Sequence, residues 1–383
     1  MSLPATMPPV RFESGVGHRE QESGGGTQMT IELKNVVKRV GAEMHIYETS
    51  VAFEREGFNI LLGTTLAGKT SLMQLMAGLE RPTSGEIWFD GRDVTGVSVQ
   101  KRNISMVHQQ FINYPNFSVF DNIASPLRVA RVSRPEIKRR VGQLAEMLKL
   151  SAMLERRPSE LSGGQQQRTA LARALVKDAD LILLDEPLAN LDYKLREELR
   201  DELPRLFKDR GCTVVYATTE PVEALLLGGH TATMHNGRIT QFGPTSEIYR
   251  RPAGLRTARV FSDPPINTAS VSKKGTRFIF NDRVGWDAEG ERTRLPDGTY
   301  TLGIRPHDVT LDRSGPGTVA LEGTVLITEI SGSESVVHFN IDGQTWISQS
   351  RGIHPFKIGD AARFHLDIGK SKLFDLDDKL VAA

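Results

Sequence analysis

Three stretches of the chain hold residue types whose spacing can handle phosphate. The first is Gly63, Thr64, Thr65, Leu66, Ala67, Gly68, Lys69, Thr70 and Ser71, which fits the pattern G-x4-G-K-[ST]. Glycines let backbone N–H groups converge on phosphate oxygens, a lysine adds charge at the β/γ-phosphates, and a hydroxyl after it is suited to Mg²⁺. The second is the apolar run 181–184, which ends in Asp185 and Glu186. A buried strand ends in two carboxylates only where they meet a cation or water. Asp185 suits a place in the Mg²⁺ coordination shell, and Glu186 suits polarising an attacking water. The third is Ser162, Gly163, Gly164 and Gln165, where a serine caps a helix and two glycines expose its N-terminal amides. That is a second anion-binding surface. One phosphate loop needs only one, so the economical reading gives the second surface to a nucleotide held by another copy or homologue.

The elements that must position these groups are legible in outline. Ile31, Leu33 and Phe53 alternate like strand residues, and residues 58–62 form a short apolar run entering the glycine turn. A helix is expected over residues 69–77 with Gly78 as its C-cap. Ser84-Gly85 and Asp90-Gly91 bracket a hairpin strand over 86–89. The signal turns helical between about 119 and 161, where Ile137, Val141, Leu144 and Leu148 form one face of a helix opened by Ser133 and Pro135. Residues 181–184 and 213–217 read as buried strands, and strands alternating with helices imply a largely parallel sheet. Beyond about Pro252 the pattern changes to short alternating segments, Leu302/Ile304, Val325/Ile327, Val337/Phe339/Ile341 and Phe364/Leu366/Ile368, the signature of a small antiparallel barrel or sandwich.

Composition bounds the rest. The 383 residues are 39% hydrophobic and 25% charged, enough for two or three globular domains. Lys+Arg 48 against Asp+Glu 47 gives +1, so no global field draws the chain to nucleic acid or an anionic membrane. The single cysteine, Cys212, excludes an internal disulfide, fits a reducing compartment, and reads as a small buried hydrophobe. No stretch reaches the ~18 apolar residues of a membrane span. Residues 1–28, with Pro4, Pro8, Pro9 and a Ser23-Gly24-Gly25-Gly26 run, read as a flexible leader ahead of a start at Met29. Met73, Met76 and Met106 read as core, His108 as a packing histidine, and the charged run 194–200 as a solvated helix face.

Leu161 to Arg168 reads LSGGQQQR, and on it the sequence from Thr30 to Ala383 resembles the ATP-binding-cassette (ABC) ATPases. The resemblance implies an α/β P-loop ATPase cassette over 29–252, with a helical subdomain at about 113–165, followed by a small all-β OB-like barrel over 253–383. It extends to Gln109 as the Q-loop glutamine, also a Mg²⁺ ligand, and to Asn190-Leu191-Asp192 as the D-loop. It covers the hairpin from Arg81 to Gly91 as well. Leu302-Gly303-Ile304-Arg305-Pro306 is similar to the C-terminal barrel of the carbohydrate-importer subfamily, which includes maltose and glycerol-3-phosphate importers. Such a subunit binds ATP and Mg²⁺ and works at the cytoplasmic face of the inner membrane. Its partners are a second ATPase subunit, two transmembrane permease subunits and, through them, a periplasmic solute-binding protein. Asn113-Tyr114-Pro115 is expected near the surface that meets the membrane subunits.

Two positions depart from the family. Thr219 stands where it carries a switch histidine, and His230 and His235 lie too far along the chain to replace it. Val40 stands where an aromatic residue stacks on adenine; Tyr47 is a candidate replacement, although a core or surface role is the simpler reading. Thr219 suggests weakened hydrolysis at this chain's own site and a partner that is a distinct homologue. The alternative is that the threonine and a water do the same work. Two other classes stand against the importer reading: a soluble ABC ATPase acting on nucleic acid, which the single cassette and balanced charge disfavour, and a hydrolysis-deficient regulatory cassette. Retained Lys69, Thr70, Gln109, Asp185 and Glu186 argue against the latter.

Overall fold

The computed structural model describes residues 31–110, 112–189, 191–208, 211–312 and 317–383. The expected leader and the start at Met29 lie outside them, as does Asn190. Two compact units form, one reaching to Thr245 and the other Ser246–Ala383. The short helix Thr245–Arg250 thus falls almost wholly with the second unit, ahead of the composition change at 252/253.

In the first unit, β1 (Ile31–Val40) and β2 (Glu43–Phe53) form an antiparallel pair. The next strand, β3 (Gly57–Leu62), is buried from Phe58 onward and leads into α1 (Lys69–Ala77). Gly78 ends α1 in the left-handed conformation that its carbonyls need for capping. Strands β4 (Ser84–Phe89) and β5 (Arg92–Asp93) follow, and β4 pairs with β1 as well as with β5. Next come β6 (Ile104–Val107), α2 (Val119–Val129), α3 (Arg134–Met147), α4 (Gly163–Leu175) and β7 (Leu181–Asp185). The unit closes with α5 (Tyr193–Lys208), β8 (Thr213–Thr218), α6 (Pro221–Leu227), β9 (His230–His235) and β10 (Arg238–Pro244).

These strands make two sheets. One is antiparallel, in the order β2-β1-β4-β5. The other has the order β10-β9-β3-β8-β7-β6 and is parallel except for β10. A core that includes Leu33, Phe53, Leu72, Met76 and Leu183 lies between sheets and α1. The parallel arrangement carries the C-terminal ends of β3, β7 and β8 to one edge, where open α/β sheets bind ligands. In α3, Ile137, Val141 and Leu144 are buried along one face, with Leu148 at its C-cap. Cys212 is buried, as are Met73 and Met76. The run 194–200 is not wholly solvated: Leu195, Leu199 and Arg200 are buried, and Arg200 pairs with Glu197.

The second unit is all-β apart from short helical turns, with two antiparallel sheets around a core that includes Trp286, Leu302, Phe339, Trp346 and Phe364. Alternation holds along Glu334–Ile341, but it breaks in Thr318–Ile330. A bulge between Val325 and Ile327 shifts the register, so Val325 is buried and Ile327 is 47% exposed.

Candidate nucleotide site

The turn between β3 and α1 can only be built from glycine at its two fixed points. A Cβ on Gly63 would sit 2.7 Å from the Met234 carbonyl oxygen and 2.9 Å from Ala67 Cβ. Gly68 has φ +101, a region that side chains avoid, and a Cβ there would crowd Ile46 and Gly237. Between them Leu66 is exposed at the tip, itself with positive φ. Because α1 begins at Lys69, its unpaired N-terminal amides face the same turn and favour negative charge.

Lys69 is buried, yet its ammonium donates to the carbonyls of Gly63 (2.9 Å) and Thr64 (3.1 Å) and lies 3.4 Å from Glu186 Oε1. Burial lowers its pKa, against the pull of Glu186 and Asp185. The Thr70 hydroxyl donates to Asp185 Oδ2 at 2.8 Å. Asp185 is buried, its other oxygen has no hydrogen-bond partner among the described residues, and burial raises its pKa despite the Thr70 bond. Gln109 Nε2 donates to Glu186 Oε2 at 3.1 Å. Glu186 sits one residue past the end of β7 with φ +47, its N–H held by the Ala217 carbonyl at 3.0 Å.

The fold therefore brings Lys69, Thr70, Gln109, Asp185 and Glu186 together. A cleft of about 490 Å³ opens over them, lined by Thr65, Leu66, Ala67, Gly68, Lys69, Thr70, Ser71, Gln109 and Glu186. The unpartnered Asp185 oxygen and the adjoining Thr70 hydroxyl are hard oxygen donors. They fit Mg²⁺, a hard cation that takes a few protein oxygens and completes its shell from phosphate and water. A second cleft of about 600 Å³ lies where β6 and β7 begin and contains none of these groups.

The far wall of the first cleft comes from distant segments. Tyr47 lines the nucleotide cleft with Glu43, Met44, His45, Asn236 and Gly237, whereas Val40 is exposed and does not. The Arg238 guanidinium lies 3.7 Å from the Tyr47 ring centroid, and Gly237 bridges the wall to the turn by accepting from Tyr47 N–H and donating to the Ala67 carbonyl. Asn236-Gly237 reads in sequence as a hairpin turn, but only the pairing of β9 beside β3 brings it here.

Ser162, Gly163, Gly164 and Gln165 stand outside the cleft. Ser162 and Gln165 cap each other reciprocally, the Ser162 N–H donating to Gln165 Oε1 at 2.9 Å, and Ser162 and Gly163 are exposed. Asp192 is also exposed and outside it, accepting from Leu195 N–H at the start of α5. Thr219 is exposed just past β8, next to Thr218, whose carbonyl accepts from Gly63 N–H at 3.3 Å. It does not line the cleft. Neither His230, against Phe242 and Glu54, nor His235 lines it.

A family described as ABC transporter matches residues 47–189, and one described as TOBE domain matches 302–374. The sn-glycerol-3-phosphate import ATP-binding protein UgpC of Pectobacterium atrosepticum is 36% identical over 90% of this chain and 97% of its own length. The trehalose/maltose import ATP-binding protein MalK of Thermococcus litoralis is 36% identical with the same coverages, 90% and 97%. The xylose/arabinose import ATP-binding protein XacK of Haloferax volcanii is 36% identical over 86% of this chain and 88% of its own. Among solved structures, the dimeric ATP-binding cassette MJ0796, in a post-hydrolysis state bound to ADP and Pi, superposes with a TM-score of 0.52 and 28% identity, covering 56% of this chain and 98% of that one.

Proposed function

This chain belongs to the family of ABC transporter ATP-binding proteins, and from that premise we propose that it is the ATP-hydrolysing subunit of an importer for a carbohydrate, polyol or glycerol-type solute. The observation that carries this is the convergence of Lys69, Thr70, Gln109, Asp185 and Glu186 on one cleft, while the capped helix tip at Ser162 is exposed outside it.

In this reading, the backbone amides of 63–70 and the Lys69 ammonium bind the β- and γ-phosphates of ATP. The two carbonyl bonds of Lys69 keep it in place beforehand, so little reorganisation is needed. Thr70, Asp185 and Gln109 would hold Mg²⁺, which would neutralise phosphate charge. Glu186 orients and polarises the attacking water, with Gln109 fixing its carboxylate. Tyr47 faces the base, one ring face backed by Arg238. The helix tip from Ser162 to Gln165, with Asp192 beside the seam, serves a nucleotide bound by a second ATPase subunit. The pair closes head-to-tail, and the dimeric state of the MJ0796 cassette supports the pairing itself.

Two transmembrane permease subunits anchor this pair to the cytoplasmic face of the membrane and couple it to an external solute-binding protein. Exposed Ile112, Tyr114 and Phe117, which follow the Gln109 segment, are the apolar surface offered to the permeases. Among the described residues no helix is long and apolar enough to cross a membrane. Thr219 lacks the imidazole's charge, so this chain's own site is the slower of the two and its partner is a distinct homologue. The test is Mg²⁺-dependent ATP turnover by the purified chain, alone and with its partner subunits. Turnover that rises on assembly supports the reading; an inability to bind ATP in either state refutes it.

A further inference from the structure

The charged face of α5 holds a residue that reaches two separate parts of the proposed hydrolytic site. Arg196 Nη1 pairs with Glu220 Oε1 at 2.6 Å, and Nη2 donates to the Ala189 carbonyl at 3.1 Å. Ala189 lies three residues beyond Glu186 and donates its N–H back to the Glu186 carbonyl at 3.3 Å. Glu220 adjoins Thr219 and donates its own N–H to the Thr218 hydroxyl at 3.0 Å. That hydroxyl in turn donates to the buried Glu223 at 2.6 Å. Glu186 N–H returns to Ala217 on the strand that carries Thr218.

The bonds make a closed circuit: Glu186, Ala189, Arg196, Glu220, Thr218, Ala217 and back. Thr219 sits between two pinned neighbours, and Arg196 is the only side chain in the circuit that spans its two halves. A planar guanidinium holds two acceptors at a fixed separation, which a lysine ammonium cannot do. With Arg196 22% and Glu220 40% exposed, the pair contributes little to stability, so its consequence is geometric.

We propose that Arg196 is a positioning residue that locks the turn at Thr219–Glu220 to the segment leaving Glu186, so that the water-polarising carboxylate and the switch position move as one body. This rests on the ATPase reading above. The test compares the full-length chain with Arg196→Met and Arg196→Lys, measuring kcat and KM for ATP together with melting temperature. Arg196→Met is expected to lower kcat at least about fivefold while KM stays within about twofold and the melting temperature within about 2 °C. Arg196→Lys, able to reach one acceptor at a time, is expected to fall between. Wild-type kcat in Arg196→Met overturns the proposal, and so does a KM that rises in step with the fall in kcat. A wild-type chain that binds no ATP refutes the ATPase reading instead, which keeps the two failures distinct.

Discussion

The Thr70 hydroxyl donates to one oxygen of Asp185 at 2.8 Å, and the other, buried oxygen has no partner among the described residues. A buried carboxylate half-satisfied in this way is destabilising alone and is relieved by a cation. Asp185→Asn keeps an acceptor for Thr70 but loses the charge. It is expected to lower turnover by about 10²-fold or more and to raise the Mg²⁺ concentration needed for half-maximal activity. An Mg²⁺ titration of initial rates checks both effects.

Lys69 and Glu186 lie 3.4 Å apart but have different tasks. Lys69→Ala removes charge aimed at phosphate and is expected to weaken ATP binding and turnover together, by about 10²–10³-fold in turnover. Glu186→Gln keeps the shape and the Gln109 contact, so it is expected to bind ATP normally while hydrolysis falls about 10²–10⁴-fold. Equilibrium binding of a fluorescent ATP analogue, set beside phosphate release, separates the two.

Tyr47 lines the cleft and Val40 does not. Tyr47→Ala is expected to raise KM for ATP about two- to tenfold, the range of one aromatic stacking contact, with kcat little changed. Val40→Ala is expected to leave KM where it was. Initial-rate kinetics over a range of ATP concentrations decide it.

How far the sequence carried this site depends on what each residue needed. The turn from Gly63 to Thr70, the helix Lys69–Ala77 and the strand ending at Asp185 are local: glycine conformations, a cap and an apolar run specify them. The cleft's far wall is not local. Tyr47 reaches it only because Gly237 bonds Tyr47 on one side and Ala67 on the other, a contact between distant segments that no periodicity encodes. For the same reason Arg196 reads in the sequence as a solvated charge, because its partner Glu220 lies 24 residues further along the chain. Ile327 read as core because alternation alone cannot show a bulge.

Glu223 is buried under β8, accepting from Thr218 (2.6 Å) and Tyr216 (3.0 Å), and burial holds its carboxyl above the usual range, with Glu220 adding to the rise and the Thr218 and Tyr216 bonds opposing it ahead of Arg200. A carboxyl that binds its proton more tightly folded than unfolded destabilises the fold as pH climbs. The effect is absent below the ordinary carboxylate value and complete above the raised one. Glu223→Gln keeps an acceptor and removes the titration. Its melting temperature is expected to fall less steeply than wild type across that window, measured from pH 4 upward by calorimetry.

Thr219 stands beside the turn without lining the cleft. Thr219→His is expected to raise turnover by the chain alone by about tenfold or more, the lower side of what one added charge or proton-transfer contact contributes. Rapid turnover by the unmodified chain, unchanged by the substitution, would instead favour a threonine and water doing the same work.

The central claim is that triphosphate is gripped by two polypeptides. The most direct measurement is a structure of the Glu186→Gln chain assembled with its partner subunits and ATP. The account predicts phosphates held by the Lys69 turn on one side and by the other subunit's serine-glycine helix tip on the other, with Ser162 of this chain against the second nucleotide. A nucleotide touching one polypeptide alone, with Ser162 facing solvent, would contradict it.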